Sequence, residues 1–490
     1  MRSQTAIFSK LVRDFMRPLP LTVSGEMPLV EVAGKMASTD VSSALIVDAK
    51  DRLQGIITDQ DMTRRVAFQV DAETPVSELM TSPVMSIDGD DYLYHAIARM
   101  RRHELKHMPV VDGTGKVAGM LDLIDTMAVA SNAMMAQIDR LTHEGSIEGL
   151  KGVKDAQVQL ARELLDDTLP APDVQALLTD INKDIYRRVI SSALTDMKAD
   201  GLGSPPVPFA AIVFGSGGRG ENYLFPDQDN GFIIADYPDE DHNRIDGFFR
   251  ELAERMTLDL DAVGLPLCKG YCMATNPLWR KTLSQWIDQI GLWSRKHNFV
   301  AIRLSDIFFD FMPVYGDIAL ATDLRKRVAT MIAGNHFYLS AMFHEIADHN
   351  VALGAFGGFF GGFVTETEDP DYKGFVNLKH TGTLPMVEAI RLLSLREGII
   401  EAATLARIQA LHRKGILSDD EVEELTVAFE LLTDILLNGQ VTAFEHGKPI
   451  NYYVDPERLS KHRQKQLTRS LQAVDSLRKR VNMEFTADIF

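Results

Sequence analysis

The stretch FGSGGRGENYLFPDQDNGFII, residues 214–234, decides how the middle of this chain folds. It is preceded by FAAIVF, 209–214, a short apolar run of strand type that stops at Gly215. Gly215, Gly217, Gly218 and Gly220 permit close backbone approach and positive φ. Consecutive N–H groups there can form an anion cradle, with the Ser216 hydroxyl and the Arg219 guanidinium beside it. No Lys-Ser/Thr pair follows the glycines, which excludes a Walker loop, and the spacing departs from the dinucleotide-binding fingerprint. Then comes DQDNGFIIAD, where residues i and i+2 of a strand share a face, so Asp227 and Asp229 project together. Two carboxylates that close repel unless a cation lies between them. Magnesium is the natural partner, with manganese as the alternative, because it takes oxygen ligands and bridges carboxylates to phosphates. A phosphate cradle beside metal carboxylates points to phosphoryl or nucleotidyl transfer.

That chemistry usually draws a third carboxylate from another strand. DIFFDFMPVYGD, 306–317, offers Asp310 between Phe309 and Phe311, an expensive place for an unpartnered charge. The expectation is that Asp310 faces the same cleft, ligates metal and accepts a proton from the attacking hydroxyl.

Around this core the chain has 490 residues, length for about three domains. A net charge of −18 argues against broad contact with nucleic-acid phosphates, so no nucleic-acid partner is expected. The two cysteines, in CKGYC (268–272), match neither a zinc knuckle nor a redox CxxC and read as small buried hydrophobes. Neither a signal peptide nor a membrane span is apparent: GAFGGFFGGFV, 354–364, is too short to cross a bilayer. A cytoplasmic protein with no membrane partner is expected.

Residues 19–67 and 83–131 match each other without a gap, at a constant offset of 64 that pairs Val47-Asp48 with Val111-Asp112, Gly55 with Gly119 and Asp61 with Asp125. Each copy reads as helix, strand, turn, strand and closing helix. This repeat resembles a tandem pair of CBS domains. The resemblance implies adenine-nucleotide binding (AMP, ADP or ATP) in clefts between the copies, and dimer formation. GIITDQD places Thr58 and Asp61 at the family's hydroxyl and carboxylate positions; a carboxylate can accept from both ribose hydroxyls. The second copy, GMLDLID, keeps Asp125 but has Asp122 where the hydroxyl belongs, so the first site should bind better. Arg64, Arg65, Arg101 and Arg102 are candidate counter-charges.

From 132 to 200 the pattern is helical and reads as a connector. From 321 to 490 helices dominate again, with Ser418 and Glu421 forming a capping box. Lys379 and Arg391 there read as solvated basic side chains, or as anion contacts by resemblance to the helical domain that follows a nucleotidyltransferase domain, and the basic segment 457–481 reads as a solvated helix face.

Taken together, GS…GRGE…DQDN, FFDFMPVYGD and CKGYCMATNPLWRKTLSQW (268–286) resemble nucleotidyltransferases related to protein-PII uridylyltransferase. The resemblance implies a multidomain α/β and α protein: an extension (1–16), a tandem CBS pair (17–131), the connector (132–200), a polymerase-β-like α+β catalytic domain (201–320) and a helical substrate-binding domain (321–490). It implies Gly215 and Ser216 on the nucleotide's terminal phosphates and Asp227, Asp229 and Asp310 on magnesium. The expected activity transfers a nucleoside monophosphate from an NTP to an acceptor hydroxyl, on a small regulatory protein or on a small molecule, under adenine-nucleotide control. A sensor without catalysis is the alternative. Met312 departs from the family pattern, which commonly has arginine there.

Overall fold

A computed structural model describes residues 11–123 and 146–486, apart from 19, 40, 63–69, 72, 92, 104, 167–168, 296–298, 347–349 and 355–361. The chain forms two compact units, Met1–Glu144 and Gly145–Phe490.

The first unit holds two small sheets. One has the order β2 (Thr22–Ser24), β3 (Ser43–Val47), β4 (Leu53–Thr58); the other runs β1 (Arg17–Pro18), β7 (Val117–Asp122), β6 (His107–Val111), β5 (Ile87–Asp88). The sequence repeat is written into the register. Arg17 lies opposite Met120, and Thr81 opposite Ile56, so each copy lends its leading segment to the other copy's sheet at the same offset of 64. The same exchange recurs at the turns, where Leu53 donates to the Gly115 carbonyl and Val117 to that of Asp51. Asp48 and Asp112 shape equivalent turns: Asp48 Oδ1 accepts from the N–H of Lys50 and Arg52, and Asp112 Oδ1 from Thr114 and Lys116. The repeated glycines also have a steric reason. A Cβ on Gly55 would stand 2.1 Å from Met80 Sδ, and one on Gly119 would stand 2.6 Å from Met16 Sδ, again equivalent residues. Leu45, Ile56 and Met120 form a buried cluster contributed by both copies. Apolar burial of this kind supplies the main driving force for their association.

The second unit is built on a four-stranded sheet ordered β10 (Arg280–Thr282), β9 (Asn230–Ile234), β8 (Phe209–Phe214), β11 (Phe311–Gly316). Only β10 and β9 are parallel. Both β8 and β9 are buried throughout: β8 is apolar along its whole length, and β9 opens with the buried polar Asn230 before its apolar run. Phe214, Trp279, Trp286 and Phe308 pack beside the sheet, with Trp286 donating to the Phe232 carbonyl.

The helices Ile147–Asp166 and Ala171–Ala199 belong to this second unit, and Ala171–Ala199 packs on His242–Val263 and on β11. The LPAPD break starts the longer helix at Ala171, with Pro172 in its first turn, where a missing N–H costs nothing. The capping box of Ser418 and Glu421 opens Asp419–Glu445, which packs along Lys461–Thr486. The basic tail does not simply face solvent: Arg463 pairs with Asp434 at 2.7 Å, and Arg480 pairs with Glu421. Among the described residues, no helix is long and apolar enough to cross a membrane.

Candidate functional site

Strand β8 ends at Phe214, and the chain turns at Gly215, whose φ of +56° favours glycine, into a single helical turn, Gly215–Arg219. The expected open cradle is therefore the start of a short helix. It closes on Gly220 in the left-handed conformation, with Glu221 N–H donating to the Ser216 carbonyl. A Cβ on Gly218 would lie 2.0 Å from the Asp310 carbonyl oxygen, so the turn packs directly on the backbone leading into β11.

Asp227 and Asp229 precede β9 and alternate as the period of a strand demands. Asp227 is exposed, Asp229 half-buried, and Gln228 between them fully buried, its amide donating to the carbonyls of Thr257 and Leu265. The Phe214 N–H donates to the Asp229 carbonyl, and a Cβ on Gly215 would stand 3.4 Å from Asp229 Oδ2. Ser216, Gly217, Asp227 and Asp229 line one small cleft. Its far wall is Thr179, Asn182, Lys183 and Tyr186 of the Ala171–Ala199 helix, so part of the expected connector is a wall of the site. The Ser216 hydroxyl donates to Asn222 Oδ1 at 3.1 Å, and Asn222 N–H donates to the Thr179 hydroxyl at 2.9 Å.

Burial pushes the Asp229 carboxyl well above its usual range, and the charges of Asp227 and Cys268 push the same way; the Lys379 ammonium opposes them. Lys379 opens a π-helical turn, Lys379–Thr383, and its ammonium lies 4.1 Å from the Tyr452 ring centre.

Asp310 stands elsewhere. It is completely buried, and three guanidiniums hold its carboxylate: Arg219 at 2.8 Å, Arg391 at 2.6 Å and Arg407 at 2.6 Å. Burial alone would raise this carboxyl, but the charges of Arg407, Arg391 and Arg219 outweigh it and hold Asp310 well below the usual carboxylate range. Arg391 also pairs with Asp306, and Arg219 with Glu221 at 2.6 Å. The second oxygen of Glu221 accepts the Thr404 N–H at the start of Thr404–Arg413, where a carboxylate complements the helix dipole. Three sequence expectations need correcting here. Asp310 does not join Asp227 and Asp229 around one metal position; Arg219 is spent on Glu221 and Asp310 instead of on phosphate; and Arg391 is a buried ion-pair partner, not an anion contact. The physical reason is common to all three, since a buried charge is stable only when paired. Arg407 was missed as a member, and Glu221, legible as part of the GRGE element, had no role assigned to it. A signal existed for Arg391: Leu384–Arg396 is buried on all sides, and a charge in such a helix must have a partner. Near Met312, Arg325 donates to the Phe311 carbonyl and stacks on its ring at 4.8 Å.

Among the described residues, the only three His, Cys, Asp or Glu ligand atoms within 4.8 Å of one another belong to Asp229, Cys268 and Cys272. The hydrogen bond from Cys272 draws the Cys268 thiol down to about 6.

In the first unit, Thr58 and Asp61 are locked together. Asp61 Oδ2 accepts from the Thr58 N–H at 3.0 Å and its hydroxyl at 2.7 Å, and the Asp61 N–H returns a bond to Thr58. Asp122, at the hydroxyl position of the second copy, faces His107 at 3.4 Å. Asp125, Arg64 and Arg65 lie outside the described residues, as do the side chains of Arg101 and Arg102.

Residues 155–299 match the family described as "Putative nucleotidyltransferase DUF294", and residues 338–485 match its "Putative nucleotidyltransferase substrate binding domain". These two matches together span more than half of the chain. The chain belongs to this nucleotidyltransferase family. CBS domains match at 12–67 and 76–131. The DUF294 match begins inside the Ile147–Asp166 helix, in keeping with the cleft wall described above. Among curated relatives, the CBS domain-containing protein CBSCBSPB1 of Arabidopsis thaliana is 28% identical over 188 residues, 36% of this chain and 34% of its own length. Inosine-5'-monophosphate dehydrogenase of Mycobacterium tuberculosis is 32% identical over 107 residues, 22% of this chain and 20% of its own. The chain thus spans about a third of the plant relative it matches. Among solved structures, the CBS pair of MJ0100 in complex with methylthioadenosine and S-adenosylmethionine is 26% identical, with a TM-score of 0.23, over 24% of this chain and 94% of that one.

Proposed function

We propose that this family member is a magnesium-dependent nucleotidyltransferase that moves a nucleoside monophosphate from an NTP to an acceptor hydroxyl. The observation that carries the proposal is the presence of Asp227 and Asp229 in one cleft with Ser216 and Gly217. The donor set fits magnesium, which needs only one or two carboxylates plus substrate phosphates. Asp229, driven toward protonation by burial and by Asp227, is the kind of group a divalent cation would stabilise as a carboxylate. Bound there, magnesium would neutralise phosphate charge and assist the entering and leaving oxygens.

The chain's own groups do the rest. The N–H groups opening Gly215–Arg219, with the Ser216 hydroxyl, bind the terminal phosphates. Lys379 adds a cation from the substrate-binding domain. Asp310, held ionised, is a poor proton acceptor; its proposed part is to fix Arg219 and the glycine turn against β11. UTP or ATP is the proposed donor, and a tyrosine or serine of a small regulatory protein the acceptor, by resemblance to protein-PII uridylyltransferase. The CBS pair takes an adenine nucleotide on Thr58 and Asp61 and sets the activity. A homodimer in the cytoplasm completes the proposal; the free thiols of Cys268 and Cys272 suit a reducing compartment.

The test is label transfer from each α-labelled NTP, with magnesium and a cell extract, comparing the native chain with Asp229→Asn. Label on a discrete acceptor with the native chain alone supports the proposal. A second reading, nucleotide sensing without transfer, is favoured by the capture of Asp310 by arginines. It predicts no transfer from any donor, with adenine-nucleotide binding retained.

A further inference from the structure

The proposed chemistry leaves Cys268 and Cys272 unused, although both sit beside one of its carboxylates. We propose that Asp229, Cys268 and Cys272 form a second metal site, selective for a thiophilic divalent ion such as zinc, which shares Asp229 with the magnesium position.

The backbone builds this site. Gln228 N–H donates to the Pro266 carbonyl, and Asn230 N–H donates to the Cys272 carbonyl, both at 2.8 Å. Asn230 Oδ1 accepts the Ala274 N–H at 2.9 Å. Residues 228–230 are thereby strapped alongside 266–274, which sets Asp229 between the two cysteines. The cysteines themselves are brought together by a turn in which Tyr271 N–H donates to the Cys268 carbonyl at 3.1 Å. Tyr271 takes φ +55°, an uncommon conformation for a bulky residue, and conformations of that kind cluster at ligand sites. Both cysteines are buried, at 8% and 1% exposure, so the thiols are held out of solvent.

The donor set decides the metal. Two thiolates and one carboxylate suit zinc and disfavour magnesium, which binds oxygen. Ligand atoms on a zinc tetrahedron stand roughly 3.5–3.8 Å apart, so atoms already within 4.8 Å need only small side-chain movements. Three protein ligands leave the fourth position to water or another exchangeable group. Binding releases the thiol protons to solvent and requires no oxidant. Since Asp229 cannot serve both ions freely, zinc occupancy opposes magnesium-nucleotide binding. That consequence rests on the proposed function; the metal site does not.

The experiment is cobalt titration of the reduced full-length protein, followed by the thiolate-to-cobalt charge-transfer absorption. The chain contains two cysteines, so any such band reports this site. A band saturating at one equivalent per chain, bleached by zinc but not by an equal concentration of magnesium, is expected. Cys268→Ser and Cys272→Ser should each diminish it and the double variant abolish it, with far-UV circular dichroism confirming that the variants fold. Asp229→Asn should retain thiolate absorption but weaken cobalt binding. Should a serine variant not fold, zinc must raise the melting temperature of the native protein where magnesium at equal concentration does not. Absence of the band, saturation at half an equivalent per chain, no zinc-specific thermal shift, or unchanged affinity in Asp229→Asn would overturn the three-ligand site. Because none of these readouts uses nucleotide, loss of transfer activity would leave the outcome intact.

Discussion

Replacing Asp310 with asparagine should destabilise the protein before any metal or substrate is considered. The cluster is balanced: Arg219, Arg391 and Arg407 face Asp310, Glu221 and Asp306, three cations against three carboxylates. Asp310→Asn leaves an excess cation where the arginines are at most 11% exposed at the side chain. Breaking a buried ion pair by neutralising one partner costs about 3–5 kcal/mol. With an unfolding entropy near 2.1 cal/mol/K per residue over a unit of about 350 residues, that lowers the melting temperature by about 4–7 °C. The assay is thermal and urea unfolding in EDTA, which removes any metal contribution. Adding Arg407→Met restores the balance, leaving Arg219 and Arg391 against Glu221 and Asp306. The double variant should therefore recover at least about 1 kcal/mol of the loss, a coupling normal for residues in contact. Two results would refute the reasoning. If Asp310→Asn melts like the native chain in EDTA but loses magnesium-dependent nucleotide binding, Asp310 is a metal ligand after all. If Arg407→Met deepens the loss additively, the charges are not coupled.

Other outcomes follow from the same geometry. Lys154 is fully buried, its ammonium donating to Gln157, Asn182 and the Leu224 carbonyl, and burial pushes it down to about 7 from 10.5. The unfolded chain then binds more protons than the native one between those values, so this group makes stability rise from about pH 7 to about pH 10; Lys154→Met should remove that component of the urea-midpoint profile. Gly218→Ala drives a Cβ against the Asp310 carbonyl, and a loss of about 3 kcal/mol should appear in urea unfolding. Asp227→Asn and Asp229→Asn should each abolish the magnesium-dependent part of NTP binding by calorimetry while leaving the fold intact. Asp61→Ala should cancel any melting shift that AMP or ATP produces in the native protein, since it removes the carboxylate and unlocks Thr58.

What could be read from the sequence was local or periodic. The repeat was legible because each copy keeps the same residues at a fixed offset, and that offset reappears as Arg17 opposite Met120 and Thr81 opposite Ile56. The pairing of Asp227 with Asp229 was legible because a strand has period two. The partners of Asp310 were not, because Arg391 and Arg407 are 81 and 97 residues away, and charge type alone does not reveal which buried ions meet. The spacing of Cys268 and Cys272 was equally silent, since their third neighbour lies on a different segment and arrives through backbone pairing at Gln228 and Asn230.

The position of Asp310 joins the glycine turn to the C-terminal helices. Arg391 and Arg407 come from the region that matches the substrate-binding domain, whereas Arg219 comes from the glycine turn that lines the cleft with Asp227 and Asp229. Glu221 reinforces the link by joining Arg219 to the Thr404 helix start. A lone metal carboxylate at position 310 would have left those three guanidiniums without their central anion, at a cost of several kcal/mol. Instead one aspartate ties the glycine turn, strand β11 and two C-terminal helices into a single charged knot. Movement of the substrate-binding helices is thereby coupled, through Asp310 and through Glu221, to the turn that carries Ser216, which links the acceptor and donor sides of the proposed reaction.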